Sequence, residues 1–286
     1  MRSQRLSAHP QIEHTSGEQG QTSSDSELAN YAERTNVRSR ATVQPGMSDF
    51  GLQGVNYVLG GGFPTNSVYL LTGDPGTFYA TFAQQALNNV LKQNVKVVYY
   101  ISEASSEDII QDMSTFKWDI RKPIEDGSWI FTRVVPPQLK TIVNDTPADP
   151  KEQRIDLPAK SLLALRQDFL AKLNEGRWSA ISLSYLMKTY PIDEITDLVM
   201  FWVNAAHRLG GVHFILVPKG VHDSEDINYI KLLVDGVLSF KFAQGFEQAE
   251  GEIDIEKLRR VIPKVKIIRH AVQDNGLVIE TSARVG

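Results

Sequence analysis

The chain contains no cysteine, which excludes disulfide frameworks, thiolate metal sites and cysteine nucleophiles. No apolar run approaches the roughly 18 residues of a membrane span, and the first residues lack the apolar core of a secretory signal. A cytoplasmic chain with no membrane span is therefore expected. Basic residues are not in excess: 30 Lys and Arg stand against 34 Asp and Glu, for a net charge of -4 and a pI near 5.9. That balance argues against a general nucleic-acid-binding surface, and DNA is not an expected partner.

What is present is ordinary globular material: 286 residues, 42% hydrophobic and 22% charged, enough for one large α/β domain. Residues 1–47 are an exception, rich in Ser, Thr, Gln, Glu and Arg with few large apolar side chains. Such a segment buries too little surface to offset its chain entropy. It is expected to be a disordered extension or a peptide that docks on a neighbour, with Ser23 to Leu28 able to start a short helix. The folded domain is expected to span residues 48–286.

A more specific absence lies in Gly73-Asp74-Pro75-Gly76-Thr77-Phe78-Tyr79-Ala80-Thr81. The segment has the outline of a phosphate-binding loop, G-x-x-x-x-G-K-[ST], in which backbone N–H groups cradle phosphates, lysine reaches the β and γ oxygens, and a hydroxyl holds Mg²⁺. The last three slots read Phe78, Tyr79 and Ala80. A neutral ring replaces the cation, the magnesium hydroxyl is missing, and Phe78 adds bulk where backbone should approach a ligand. The flanks nonetheless fit: residues 67–72 form an apolar run with strand character, and 80–91 repeat apolar residues at helical spacing. A chance match and an ordinary strand-to-helix turn are the competing readings.

Further apolar runs at 95–102, 128–135, 178–186 and 212–218 read as strands. Helical spacing covers 161–173, 193–209 and 227–233, while 136–158 is polar, contains proline and reads as a surface excursion or lid. Residues 244–256 read as an acidic, hairpin-like excursion. His213, His222 and Asp223 near a strand end invite a metal or acid–base reading, but no third ligand accompanies them.

The run from Gly54 to Thr77, GVNYVLGGGFPTNSVYLLTGDPGT, resembles the opening of the KaiC-like branch of the RecA superfamily. The resemblance continues through Glu103-Ala104, where the family has a pair of glutamates that polarise the attacking water, and through Phe116-Lys117-Trp118-Asp119. It implies a RecA-like P-loop α/β fold, a mostly parallel sheet flanked by helices on both faces. It also implies that Gly73 to Thr81 is the nucleotide-binding loop, that Glu103 is the remnant of the catalytic pair, and that Ser184, or else Ser182, stands where an aspartate would hold Mg²⁺. Near the end of the chain the family carries a basic pair that reaches a neighbouring subunit's phosphates, and Lys264 and Lys266 correspond to it. For Glu103 the competing reading is an acid in the first turn of the following helix; for the lysines it is a solvated edge-strand face.

Loss of the lysine, the magnesium hydroxyl, the strand-end aspartate and one glutamate points to a degenerate ATPase, with at most weak binding of ATP and Mg²⁺. The expected function is a non-catalytic regulatory or scaffold subunit, assembling with itself or with an active KaiC- or RecA-like relative. One alternative is a nucleotide-binding switch or weak ATPase completed by a neighbour through Lys264, Lys266 or Arg269. Another is an accessory protein on single-stranded DNA.

Overall fold

The computed structural model describes residues 46–48, 50, 52, 55, 62–145, 149–243, 250–263 and 265–279. The expected extension and its short helix, most of the stretch 50–61, and Lys264 lie outside them. In chain order the elements are β1 (Met47–Ser48), β2 (Phe63–Pro64), β3 (Ser67–Gly73), α1 (Tyr79–Leu91), β4 (Val97–Ile101), α2 (Ser106–Thr115), α3 (Arg121–Glu125) and β5 (Trp129–Val135). A single 3-10 turn (Pro137–Leu139), α4 (Lys140–Asp145), β6 (Glu152–Asp156), α5 (Leu163–Asn174), β7 (Trp178–Ser182), α6 (Ser184–Thr189) and α7 (Ile192–Leu209) follow. The chain continues through β8 (Val212–Pro218), α8 (Ser224–Leu233), β9 (Gly236–Phe242), β10 (Glu250–Leu258), β11 (Ile267–Gln273) and β12 (Gly276–Ile279).

Ten strands form one sheet in the order β12-β11-β10-β9-β3-β8-β7-β4-β5-β6. From β9 to β6 every neighbouring pair is parallel, and β10, β11 and β12 add an antiparallel flank. The central strand β3 is buried at all seven positions, as expected for a parallel strand covered on both faces. Tyr69 and Leu71 face one core with Phe82, Ala86 and Val90 of α1 and with Ile109, Ile110 and Met113 of α2. Val68 and Leu70 face the other, with Phe169 of α5, Leu198 and Trp202 of α7, and Ile230 of α8. The 3.6-residue repeat of each helix thus meets the two-residue alternation of the strands. This is the α/β architecture with helices on both faces that the sequence pattern implied.

Local signals set the helix ends. Ser105 and Asp108 make a capping box at α2, the serine hydroxyl accepting from Asp108 N at 3.1 Å and the carboxylate accepting from Ser105 N at 3.0 Å. At the sheet's outer edge, Gln85 acts as a short surrogate strand. Its Nε2 donates to the Leu277 carbonyl at 3.1 Å, and its Oε1 accepts from Leu277 N at 2.8 Å. Trp118 Nε1 donates to the Asn275 carbonyl at 3.1 Å, so the Phe116-Lys117-Trp118-Asp119 group pins the β11–β12 turn. These contacts occupy backbone groups that an open edge would offer to another chain.

Two polar stretches differ from expectation. Within 136–158, read as an excursion, β6 extends the sheet by pairing parallel to β5. It has no apolar repeat to announce it; Glu152 is instead held by Arg133 Nε at 2.6 Å and Nη2 at 2.7 Å, and by Ser106 N at 3.0 Å. Burial pushes the Glu152 carboxyl up, but these donors outweigh it and the net shift is downward. Within 244–256, β10 pairs with both β9 and β11. Its buried Ile253 and Ile255 alternate with acids, a two-residue period hidden by the local charge.

Removing one partner of the Arg133–Glu152 pair, whose side chains are only 12% and 9% exposed, strands a buried charge. Arg133→Met is expected to lower unfolding free energy by about 3 kcal/mol, and Arg133→Met with Glu152→Leu to recover most of it. Urea titration checks both; equal losses in the single and double variants would contradict the pair's role. Two buried histidines set a pH dependence. Burial lowers His213 from 6.5 to about 4, against a weaker upward effect of its bond to the Gly210 carbonyl, and burial alone takes His270 to about 4. Below pH 6.5 the unfolded histidines take up protons that the folded ones refuse, so stability falls between pH 6.5 and 4, by roughly 3 kcal/mol for each. Denaturation midpoints that stay flat over that window, in the wild type against His270→Phe, would contradict this.

Candidate functional site

Sheet order creates the site. The helices that follow β3 and β4 pack on one face, whereas those after β7 and β8 pack on the other. Because β3 adjoins β8 and β7 adjoins β4, the connections diverge at both junctions. In open parallel sheets such divergence opens a crevice at the strands' carboxyl ends. Gly73, Glu103, Ser182, Ser184 and His222 all follow or close those four strands.

Gly73 ends β3 in register with Pro218, and its carbonyl accepts from Lys219 N at 2.9 Å. A side chain at Gly73 would press on Thr77 and on Phe240. The turn closes through Thr77, whose N and Oγ1 donate to the Asp74 carbonyl at 3.1 and 2.7 Å. Phe78 then adopts a left-handed backbone, φ 63° and ψ 19°, immediately before α1. Glycine takes that conformation freely, and the second glycine of G-x-x-x-x-G-K-[ST] falls at this position. For phenylalanine it costs about 1–2 kcal/mol.

Helix α1 has no side-chain cap and no acid in its first turn. Its first bond runs from Phe82 N to the Phe78 carbonyl at 2.9 Å, so the N–H groups of Tyr79, Ala80 and Thr81 have no acceptor within the helix. Tyr79 is half-buried, and its phenol is pushed up by burial and then by the Glu103 carboxylate. Where the consensus has an ammonium, this site has a neutral phenol facing an anion.

Glu103 is not an acid in the first turn of α2, because Ser105 caps that helix and Glu107 and Asp108 fill the turn. Its Oε1 instead accepts from Tyr185 N at 2.8 Å, and Ser182 Oγ lies 3.5 Å away. Since the N-cap of α6 is Leu183, which has no side-chain acceptor, Glu103 satisfies a backbone donor that the helix leaves open. Strand β7 ends at Ser182, paired with Leu216, and Ser184 already begins α6. The strand-end position is therefore Ser182 rather than Ser184. Sequence reasoning extended the strand because no glycine or proline separates it from the helix.

Ser184 Oγ lies 2.8 Å from His222 Nε2. Burial lowers the His222 pKa, Lys188 adds to the effect, and Asp226 opposes it. Asp223 caps α8 by accepting from Glu225 N at 2.8 Å. His213 lies in the core at the other end of β8, with Nδ1 2.9 Å from Ser179 Oγ and Nε2 3.2 Å from the Gly210 carbonyl. The structure thus separates the two histidines, and no cluster of three potential metal ligands exists among the described residues. Lys266 is exposed, its carbonyl accepts from Ile255 N at 2.8 Å, and Arg269 pairs with Glu252 at 3.6 Å. They flank or lie on β11, three places from β3, so the fold does not bring them to the loop of their own chain. Sequence reading missed two features: the Ser184–His222 pair, and the contact of Glu103 with an amide 82 residues away.

Among the described residues no helix is long and apolar enough to cross a membrane. A UPF0273 protein of Pyrococcus furiosus is 39% identical over 77 residues, covering 27% of this chain and 31% of that protein. The circadian clock oscillator protein KaiC of Acaryochloris marina is 22% identical over 214 residues, 73% of this chain and 39% of that protein. The circadian clock protein KaiC3 of a Synechocystis strain is 24% identical over 213 residues, 73% of this chain and 40% of that protein. The matches thus span well under half the length of these relatives. The family model for the KaiC ATPase matches residues 49–284, which covers the whole sheet and the crevice at its carboxyl edge: the chain belongs to the KaiC ATPase family.

Proposed function

We propose that this chain is a KaiC-like subunit that has lost ATP hydrolysis and most ATP binding, and that it acts as a regulatory or scaffold subunit. The observation that carries this reading is Tyr79: a half-buried neutral phenol beside the Glu103 carboxylate stands where triphosphate charge would need a cation. Phosphoryl transfer depends on positioning and on neutralising charge, so the loss bears directly on catalysis. The donor set does not fit a magnesium–triphosphate either. Ala80 offers no hydroxyl, Ser182 no charge, and the Glu103 carboxylate is engaged by the Tyr185 amide. No catalytic step is therefore assigned to these residues.

Assembly with a second copy, or with an active relative, is the remaining half of the reading. It is supported by exposed apolar side chains on the antiparallel flank and its approaches, among them Phe242, Ile262, Ile267 and Val278. A chain without cysteine, and without a long apolar helix among the described residues, is compatible with a cytoplasmic location.

A second reading, a nucleotide-binding switch completed by a neighbour, draws support from the backbone. The left-handed Phe78 and the open amides of α1 preserve a cradle for an anion. Lys266 and Arg269, with Lys264 two residues earlier in the sequence, would then supply cations across a subunit boundary.

Steady-state assays with Mg²⁺ and ATP should give turnover at background, unchanged by Glu103→Gln. Turnover typical of active relatives, abolished by that substitution, would overturn the proposal. Light scattering should show a mass above one chain, alone or with an active relative, that does not change with nucleotide. Nucleotide-driven assembly lost in Lys266→Ala would favour the switch, and salt-dependent retention on single-stranded DNA would favour an accessory role there.

A further inference from the structure

The Ser184–His222 pair has no part in the proposed function, and its geometry has a chemistry of its own. Ser184 Oγ and His222 Nε2 are 2.8 Å apart, within the range of a nucleophile and its base. They come from adjacent strands, Ser184 two residues past the end of β7 and His222 four residues past the end of β8, at the carboxyl edge where parallel sheets bind ligands. Both are half-buried, so the hydroxyl is sheltered but reachable. Burial and Lys188 favour the neutral imidazole, whose Nε2 accepts a proton, while the Asp226 carboxylate lies close enough to favour the charged ring once it forms.

A second observation is independent of the first. The backbone N–H of Tyr185, the residue directly after Ser184, already holds a negatively charged oxygen, Glu103 Oε1, at 2.8 Å. In serine hydrolases built on strand-turn-helix junctions, the amide after the nucleophile is one of the donors that stabilise the oxyanion. Glu103 thus stands in for an oxyanion at the amide where one would form.

We propose that Ser184 is an acyl-accepting nucleophile, activated by His222 and restrained by Glu103, with small acyl esters as its substrate class. Ser184 Oγ attacks the ester carbonyl carbon and its proton passes to His222 Nε2. The carbonyl oxygen, now negative, takes the place of Glu103 Oε1 on the Tyr185 amide. Collapse expels the alkoxide or phenoxide, which takes the proton from His222 and leaves an ester on Ser184. Attack by water, deprotonated by His222, releases the acid and restores the serine. No nucleotide or metal enters, so this reactivity is independent of whether the chain binds ATP.

The test treats the purified full chain with a fluorescent fluorophosphonate and locates the label by peptide mass spectrometry. Label on Ser184 is expected, with a rate that rises with pH through a midpoint below 6.5, the ordinary histidine value. Ser184→Ala should abolish labelling at that peptide, and His222→Gln should slow it at least tenfold. Glu103→Ala should accelerate it severalfold, an effect that a purely structural hydrogen bond between Ser184 and His222 would not produce. Hydrolysis of p-nitrophenyl acetate should follow the same order. If Ser184 stays unlabelled in both the wild type and Glu103→Ala, or is labelled equally fast in folded His222→Gln, the proposal is overturned.

Discussion

Phe78 is held in a left-handed backbone conformation, and the exit of α1 from β3 depends on it. A residue with a Cβ resists that conformation, so the surrounding packing must supply the cost. It does so from several directions: β3 is fixed between β8 and β9, Gly73 closes against Thr77 and Phe240, and α1 inserts Phe82, Ala86 and Val90 into the core. The loop therefore keeps a shape suited to glycine while carrying a side chain that has no use for it. On the proposed reading, backbone geometry and site chemistry have separated, because the fold constrains the first and only a ligand constrains the second.

The same separation runs along the strand ends. Four side chains at those strand ends are satisfied within the chain itself. Tyr79 is neutral, Glu103 binds an amide of α6, Ser184 binds His222, and Asp223 caps α8. Glu103 and the Ser184–His222 pair come from β4 and from the turn after β8, and both grip the first turn of α6. That helix is a single short segment with no side-chain cap of its own; Leu183 and Leu186 anchor it in the core, and those two contacts add to the anchor at its exposed start.

Legibility in the sequence followed the physics of each segment. Buried parallel strands announce themselves as apolar runs, and β3, β4, β5 and β8 were readable for that reason, as were α1, α5 and α7 from their helical repeats. Strand β6 was not, because an edge strand held by Arg133 and Glu152 needs no apolar alternation. Strand β10 was obscured by the acids between Gly251, Ile253 and Ile255. At the site, the loop and the strand-end glutamate could be found by position alone. What Glu103 touches could not, since its acceptor role for Tyr185 exists only once β4 and β7 are neighbours.

If the loop keeps the backbone of a phosphate-binding loop, restoring glycine, charge and hydroxyl at Phe78, Tyr79 and Ala80 restores binding. The decisive measurement is isothermal titration of Mg²⁺ and ATP into the wild type and into a Phe78→Gly, Tyr79→Lys, Ala80→Thr variant. No saturable heat is expected for the wild type, and magnesium-dependent binding is expected for the variant. Saturable, magnesium-dependent binding by the wild type, or a folded variant that still gives no heat, would contradict that expectation.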